Sequence, residues 1–273
     1  MFSASVRNNT ELFRGGGAKQ RETPAWVLSR EDNVDNDSSN HGNCDEVVRQ
    51  GGMQFQGDYY IMIKPDGITR PFRVLCQTLN NSGWTVIQKR KDGSVDFFRN
   101  WQEYKKGFGN LEGEFWLGND YIHHLSVQEP TMLRIEMIDW DDKTYTALYD
   151  TFTIENEKNL YRLHIGSYHG DAGDSLKSHW ENHDGMPFST KDRDNDGRYY
   201  DSCAEHFHGA WWFNNCFDSH LNGKYYHKGF HKNYFQRDGI QWNTIHMYSS
   251  LKGRADDGQA RSGPAACLHS ASW

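Results

Sequence analysis

Residues 83–119 carry four ordered segments: Gly83-Trp84-Thr85-Val86-Ile87-Gln88, Asp92-Gly93-Ser94-Val95-Asp96-Phe97, Gly107-Phe108-Gly109-Asn110 and Gly113-Glu114-Phe115-Trp116-Leu117-Gly118-Asn119. Short runs of β-branched and aromatic residues, broken by Gly, Asn and Asp, predict strands joined by tight turns. Thr85 to Lys89 reads as a strand and Trp101 to Phe108 as a short helix. Further out, Leu133, Ile135 and Met137 alternate with Arg134 and Glu136, and Tyr161, Leu163 and Ile165 alternate with Arg162 and His164. Period-two alternation of this kind predicts strands with one buried face. Between about 166 and 245 the periodicity fades and Gly, Asp, His and aromatic residues dominate. That half is expected to be loops held by a disulfide and by bound ions or stacked rings.

Composition limits the functional classes. Lys and Arg number 30 against 37 Asp and Glu, a net charge of −7, which argues against a protein built to grip phosphate backbones. Aromatic residues reach 14%, more than a disordered polypeptide holds. No run approaches the roughly 20 apolar residues of a membrane span. Residues 1–43 include Gly15-Gly16-Gly17 and an acidic stretch ending at Asn43, and read as a disordered or loosely attached leader. The opening residues, Met1 to Phe13, lack the apolar run of a secretory signal. Residues 44–252 read as the folded domain and 253–273 as a disordered tail. Neither a heptad run nor a collagen-like repeat precedes Cys44, so no oligomerising stalk is visible.

The cysteines are Cys44, Cys76, Cys203, Cys216 and Cys267, with no CxxC among them. Four fall into two local pairs, the spacing of a protein folded in an oxidising compartment; five unrelated reduced thiols are the other reading. Asp192-Arg193-Asp194-Asn195-Asp196-Gly197 sets three carboxylates at alternate positions before a glycine, which suits either an oxygen cage for calcium or a solvated acidic turn. It is not an EF-hand, because the twelfth position is Cys203. The run from Cys203 to Cys216 is crowded with rings, including Trp211-Trp212-Phe213, and suits core packing or a ligand wall. His206 and His208 alternate like metal ligands but lack a third at metal spacing. Nucleophile-elbow, P-loop, HExxH and GxGxxG patterns are absent, so no enzyme is expected.

With Ala172-Gly173-Asp174-Ser175, Phe188-Ser189-Thr190 and Leu221-Asn222-Gly223-Lys224-Tyr225-Tyr226, the four opening segments form an ordered series over residues 44–252 that resembles the fibrinogen-related (fibrinogen C-terminal) domain. Residues 188–196 and Trp211-Trp212 look most like the ficolin and tachylectin branch. The resemblance implies an α+β domain with an N-terminal subdomain closed by Cys44–Cys76, a central twisted antiparallel sheet with short helices, and a loop-rich C-terminal subdomain containing Cys203–Cys216. It also implies Ca2+ on the carboxylates of Asp194 and Asp196 and the carbonyls of Arg198 and Tyr200. The ligand pocket would lie beside a cis Asn215-Cys216 peptide, walled by Phe207 and Phe217, with Tyr234 and Tyr248 from later loops. Phe207 and Phe217 stand where a hydroxyl or imidazole would help bind an acetyl group. After Lys252 the family continues with an apolar strand returning to the sheet. Here the sequence reads Gly253-Arg254-Ala255-Asp256-Asp257, so an exposed sheet edge is expected.

Two functions follow as expectations. The first is a secreted, calcium-dependent lectin binding N-acetylated glycans or acetylated surfaces in innate defence or agglutination. The alternative is a ligand that contacts a protein receptor or matrix protein, as in the angiopoietin-like and tenascin-like branches.

Overall fold

The computed structural model describes residues 2–8, 41–51, 57–229 and 237–252. Strands β1 (Phe2–Asn8), β2 (Gly57–Ile63), β3 (Phe72–Leu79), β4 (Ser82–Arg90), β5 (Phe108–Gly109), β6 (Phe115–Trp116), β7 (Thr131–Ile138), β8 (Thr144–Tyr149), β9 (Phe152–Ile154), β10 (Leu163–Ile165) and β11 (Tyr168–Gly170) come first. The short β12 (Ser219–His220) and β13 (Gln241–Trp242) lie in the loop-rich half. Helices are α1 (Cys44–Gly51), α2 (Trp101–Lys106), α3 (Asn119–Val127) and α4 (Cys203–His206). The main sheet runs β11-β8-β7-β1-β4-β3-β2, with β6 on β4 and β5 on β6, and its pairings are antiparallel. This is the expected α+β architecture.

Local chemistry explains the boundaries. In β7, Leu133, Ile135 and Met137 are buried while Met132, Arg134, Glu136 and Ile138 are partly exposed, as the alternation predicts. Strand β4 is buried on both faces from Gly83 to Arg90, because α1 packs over one side. The close approach needs Gly83: a Cβ there would lie 2.1 Å from the Cys44 carbonyl oxygen. The Cys44–Cys76 disulfide and the bond from Gly83 N to Asp45 Oδ1 at 3.0 Å hold the same junction. Helix α2 starts on a capping box: the Asn100 side chain accepts from Glu103 N at 2.9 Å and Glu103 Oε2 accepts from Asn100 N at 3.0 Å. It stops at Gly107, whose φ of +88° ends the helix before Phe108.

Two expectations change. The strand read from Tyr161 begins only at Leu163, because Leu160 and Tyr161 take left-handed φ of +60° and +48°, and the Tyr161 carbonyl accepts from Trp212 Nε1 at 2.7 Å. The larger correction concerns the leader. Phe2–Asn8 is a strand in the middle of the sheet, paired with β4 on one side and β7 on the other. The exposed sheet edge expected from the divergent sequence after Lys252 therefore lies on neither β4 nor β7, because β1 pairs with both. Small side chains suit a strand enclosed on both faces: Ser3, Ala4, Ser5 and Val6 are all buried. Residues 9–40 of the leader, the tail from 253 and Cys267 lie outside the described residues.

Candidate functional site

The loop-rich half is anchored from behind by buried aromatic and histidine side chains. His183 is fully buried; its Nδ1 donates to Trp212 O at 2.7 Å, and its Nε2 accepts from Asp218 N at 3.3 Å and Ser219 N at 3.2 Å. Those partners fix the neutral tautomer, and burial pushes its pKa down to about 4. His220 is also fully buried against Phe213 and Phe217, with ring centroids 5.0 and 5.2 Å away. Neither of its ring nitrogens has a hydrogen-bond partner among the described residues.

Cys203 and Cys216 are bonded, and the Asn215-Cys216 peptide is cis. In front of this ring lies an open cleft of about 780 Å³. Phe207, Asn215, Cys216, Phe217 and Tyr248 all line it, so five of the six predicted pocket residues come together. Tyr234 lies outside the described residues. Phe207 and Phe217 meet edge to face at 4.8 Å and form an apolar wall. The cleft also contains charges that sequence reasoning missed. Glu181 Oε2 accepts from Asn215 N at 3.0 Å, and burial pushes its carboxyl pKa up. The Asp218 carboxylate is held by Asn243 Nδ2 at 2.6 Å, while its backbone is set by His183. Arg198 and Arg237 supply positive charge, and Trp180 and Met247 stand at the rim, Trp180 being 83% exposed.

The acidic loop borders this cleft. Asp192 serves the fold: its Oδ1 accepts from Trp101 N at 2.9 Å and from Thr190 Oγ1 at 2.7 Å. Asp194 and Asp196 lie together, Asp194 Oδ1 accepting from Asp196 N at 3.2 Å. Asp196 accepts from Arg198 N and Cys203 N, both at 2.8 Å, which ties the loop to the start of α4. Burial and then the neighbouring Asp194 raise the Asp196 carboxyl to about 6, although the two backbone bonds oppose this. Two carboxylates this close have the hard oxygen chemistry that a divalent cation takes, although Asp196 also accepts from two backbone N–H groups. The Arg198 side chain points to Asp201 Oδ1 at 2.5 Å and to Cys216 Sγ at 3.4 Å. Tyr200 is 92% exposed and packs on Tyr199. Among the described residues no three or more His, Cys, Asp or Glu are grouped as metal ligands, and His206 and His208 have other partners. Their side chains pair instead with Asp201 at 3.7 Å and Asp238 at 3.1 Å.

The profile of the C-terminal globular domain of fibrinogen beta and gamma chains matches residues 40–254. Angiopoietin-related protein 7 of Bos taurus is 48% identical over 174 residues, covering 63% of this chain and 48% of that protein. The fibrinogen beta chain of Gallus gallus is 42% identical over 241 residues, covering 79% of this chain and 48% of that one. This chain therefore spans about half the length of these two relatives. Lamprey fibrin D-dimer, solved with the peptide ligand Gly-His-Arg-Pro-amide, superposes with a TM-score of 0.74 at 39% identity, covering 88% of this chain and 84% of that one. With the sheet, both disulfides and the cleft of the loop-rich half in place, the chain belongs to the family of the fibrinogen C-terminal globular domain.

Proposed function

We propose that this domain is an extracellular, non-enzymatic binding module of the angiopoietin-like and fibrinogen-like kind, which takes a segment of a partner protein into the cleft beside Asn215-Cys216. The cleft itself carries this reading: it pairs an apolar wall of Phe207 and Phe217 with carboxylates from Glu181 and Asp218 and guanidinium groups from Arg198 and Arg237. Mixed charge around rings suits a peptide, which offers backbone groups, charges and apolar side chains together. The wall lacks hydroxyls on Phe207 and Phe217, which favours a peptide over the N-acetylated glycans first expected. Relatives that are angiopoietin-related or fibrinogen proteins support it, as does the peptide bound to the lamprey protein. Two disulfides fit an oxidising compartment, and no helix is long and apolar enough to cross a membrane among the described residues.

Gly-His-Arg-Pro-amide is the first probe. Titration calorimetry should detect binding, and Asp218→Ala should weaken it about tenfold or more, the cost of one lost charge-assisted hydrogen bond. No binding of the peptide, with retention on immobilised N-acetylglucosamine reversed by free acetate, would replace the peptide reading with the lectin one.

Asp194 and Asp196 would hold calcium, with the carbonyls of Arg198 and Tyr200 as further oxygen ligands and water filling the rest of the shell. The ion would neutralise the carboxylate pair and stiffen the loop behind the cleft. Millimolar calcium should raise the melting temperature of the chelator-treated protein by about 5 °C or more if it exceeds its dissociation constant a hundredfold. Asp194→Asn should abolish that increment in differential scanning calorimetry. An equal increment in the variant would remove Asp194 from the site.

A further inference from the structure

Strand β1 occupies a slot between β4 and β7 whose mouth a different stretch of backbone reaches. Lys252 N donates to Ile138 O at 2.9 Å, in an antiparallel bridge to the end of β7. The adjacent Asp139 turns its N–H toward β8, to Lys143 O at 3.1 Å. Neighbouring residues of a strand present their backbone groups to opposite sides, so Ile138 faces the side on which β1 lies. Lys252 opposite Ile138 and Ser3 opposite Glu136 therefore run the same way along one edge of β7. Backbone from residues 250–252 reaches the mouth of the slot, and β1 continues its line as a separate segment.

The slot is selective for what β1 brings. Ala4 and Val6 lie opposite Ile135 and Leu133 in the core, and Ser3 and Ser5 are buried on the other face. The sequence that follows Lys252, Gly253-Arg254-Ala255-Asp256-Asp257, would place charges there. The strands beside β1, and Asp45, which pairs with Arg7 at 3.4 Å, belong to sequence beyond residue 43. Thirty-five residues, 9–43, separate β1 from Cys44. At full extension such a tether reaches on the order of 100 Å.

We propose that the slot between β4 and β7 is a strand acceptor, and that β1 of a second copy of this chain occupies it in exchange with the chain's own β1. The contacts are the same in either arrangement, so the balance is set by concentration. A tether of this length gives the chain's own strand an effective concentration on the order of millimolar, and the exchanged form grows as protein concentration approaches it. Exchange that passes from copy to copy without closing would also make the domain multivalent.

Single-cysteine variants separate the two arrangements. Full-length protein carrying Ser5→Cys with one tag is mixed with full-length protein carrying Arg134→Cys with another, both on a Cys267→Ser background, and oxidised under mild conditions. Ser5 and Arg134 are direct partners in the register, so the tagged pair can bond only between two molecules. Expected is a disulfide-linked heterodimer whose yield rises about tenfold for a tenfold rise in protein concentration while it remains the minor form, and which a synthetic peptide of residues 1–10 suppresses. Ser5→Cys and Arg134→Cys in one molecule must close internally, and Ser3→Cys with Glu136→Cys repeats the test if the first pair folds poorly. Internal closure without any heterodimer beyond that given by Ser5→Cys mixed with Asp142→Cys overturns the proposal. Failure of internal closure in both pairs overturns it too, since β1 would then not occupy the slot.

Discussion

Glu114→Ala should destabilise the domain by about 3–5 kcal/mol, the range for stranding one member of a buried ion pair. Glu114 is fully buried and its carboxylate gathers Arg90 Nε at 3.4 Å with the backbone N–H groups of Lys91 at 2.8 Å, Asp92 at 3.3 Å and Val95 at 2.9 Å. Arg90, 1% exposed, also donates to Leu221 O at 3.2 Å and Gly223 O at 2.7 Å and lies 3.9 Å from the centre of the Phe97 ring. Burial already pushes the guanidinium pKa down, and Glu114 is the principal group holding it up. Without the carboxylate a buried cation loses its counter-charge and three amides lose their acceptor, costs that add. Urea midpoints with an unchanged slope would measure the loss. Glu114→Ala with Arg90→Met should recover part of it, because the second change removes the stranded charge. A loss below about 1 kcal/mol for Glu114→Ala would show that water reaches the pair and that the network is not what joins β4 to residues 221–223.

This junction illustrates which parts of the molecule are readable in sequence. Glu114 lies inside Gly113–Asn119, a segment that points to the fold by resemblance, yet nothing in periodicity says that its carboxylate faces Arg90. Alternation in β7 is legible because one face is buried and the other is not. Strand β1 is harder to read: Phe2, Ala4 and Val6 alternate with Ser3, Ser5 and Arg7, but the run is short, its residues from Ser3 to Val6 are buried on both faces, and it is set in a stretch of sequence that otherwise reads as a leader. Its partners in β4 and β7 are also far along the sequence. The pocket shows the same division. Phe207, Asn215, Cys216 and Phe217 are found through the cysteine ring, which is local. Glu181, Arg198 and Arg237 come from separate loops that converge only through long-range packing, and no spacing rule links them. The acidic loop is legible as oxygen chemistry, but the diversion of Asp192 to Trp101 N is not.

Acid should weaken the domain well before ordinary carboxylates titrate, and the cause is the histidine pair behind the cleft. Burial pushes His183 down to about 4 and His220 to about 3, against about 6.5 in the unfolded polypeptide. Between these limits the unfolded state binds protons that the folded state refuses, so the stability contribution is complete above about pH 6.5 and is lost as pH falls toward the folded values. At about 1.4 kcal/mol for each pH unit that separates the folded from the unfolded value, each histidine accounts for several kcal/mol, a large share of a typical 5–15 kcal/mol. The two differ in what replaces them. His183 holds Trp212 O, Asp218 N and Ser219 N, so His183→Leu should destabilise at every pH and disturb the cleft through Asp218. His220 holds no partner among the described residues, so His220→Leu should leave stability at pH 7.5 unchanged or higher and remove about one proton from the acid slope. Urea midpoints from pH 6.5 to 5.5 give that slope. Asp196, raised to about 6, acts with the opposite sign in this window but cancels when variant and parent are compared. A parallel slope in His220→Leu would mean that the imidazole takes up its proton alike in the folded and unfolded states, and that burial does not hold it neutral.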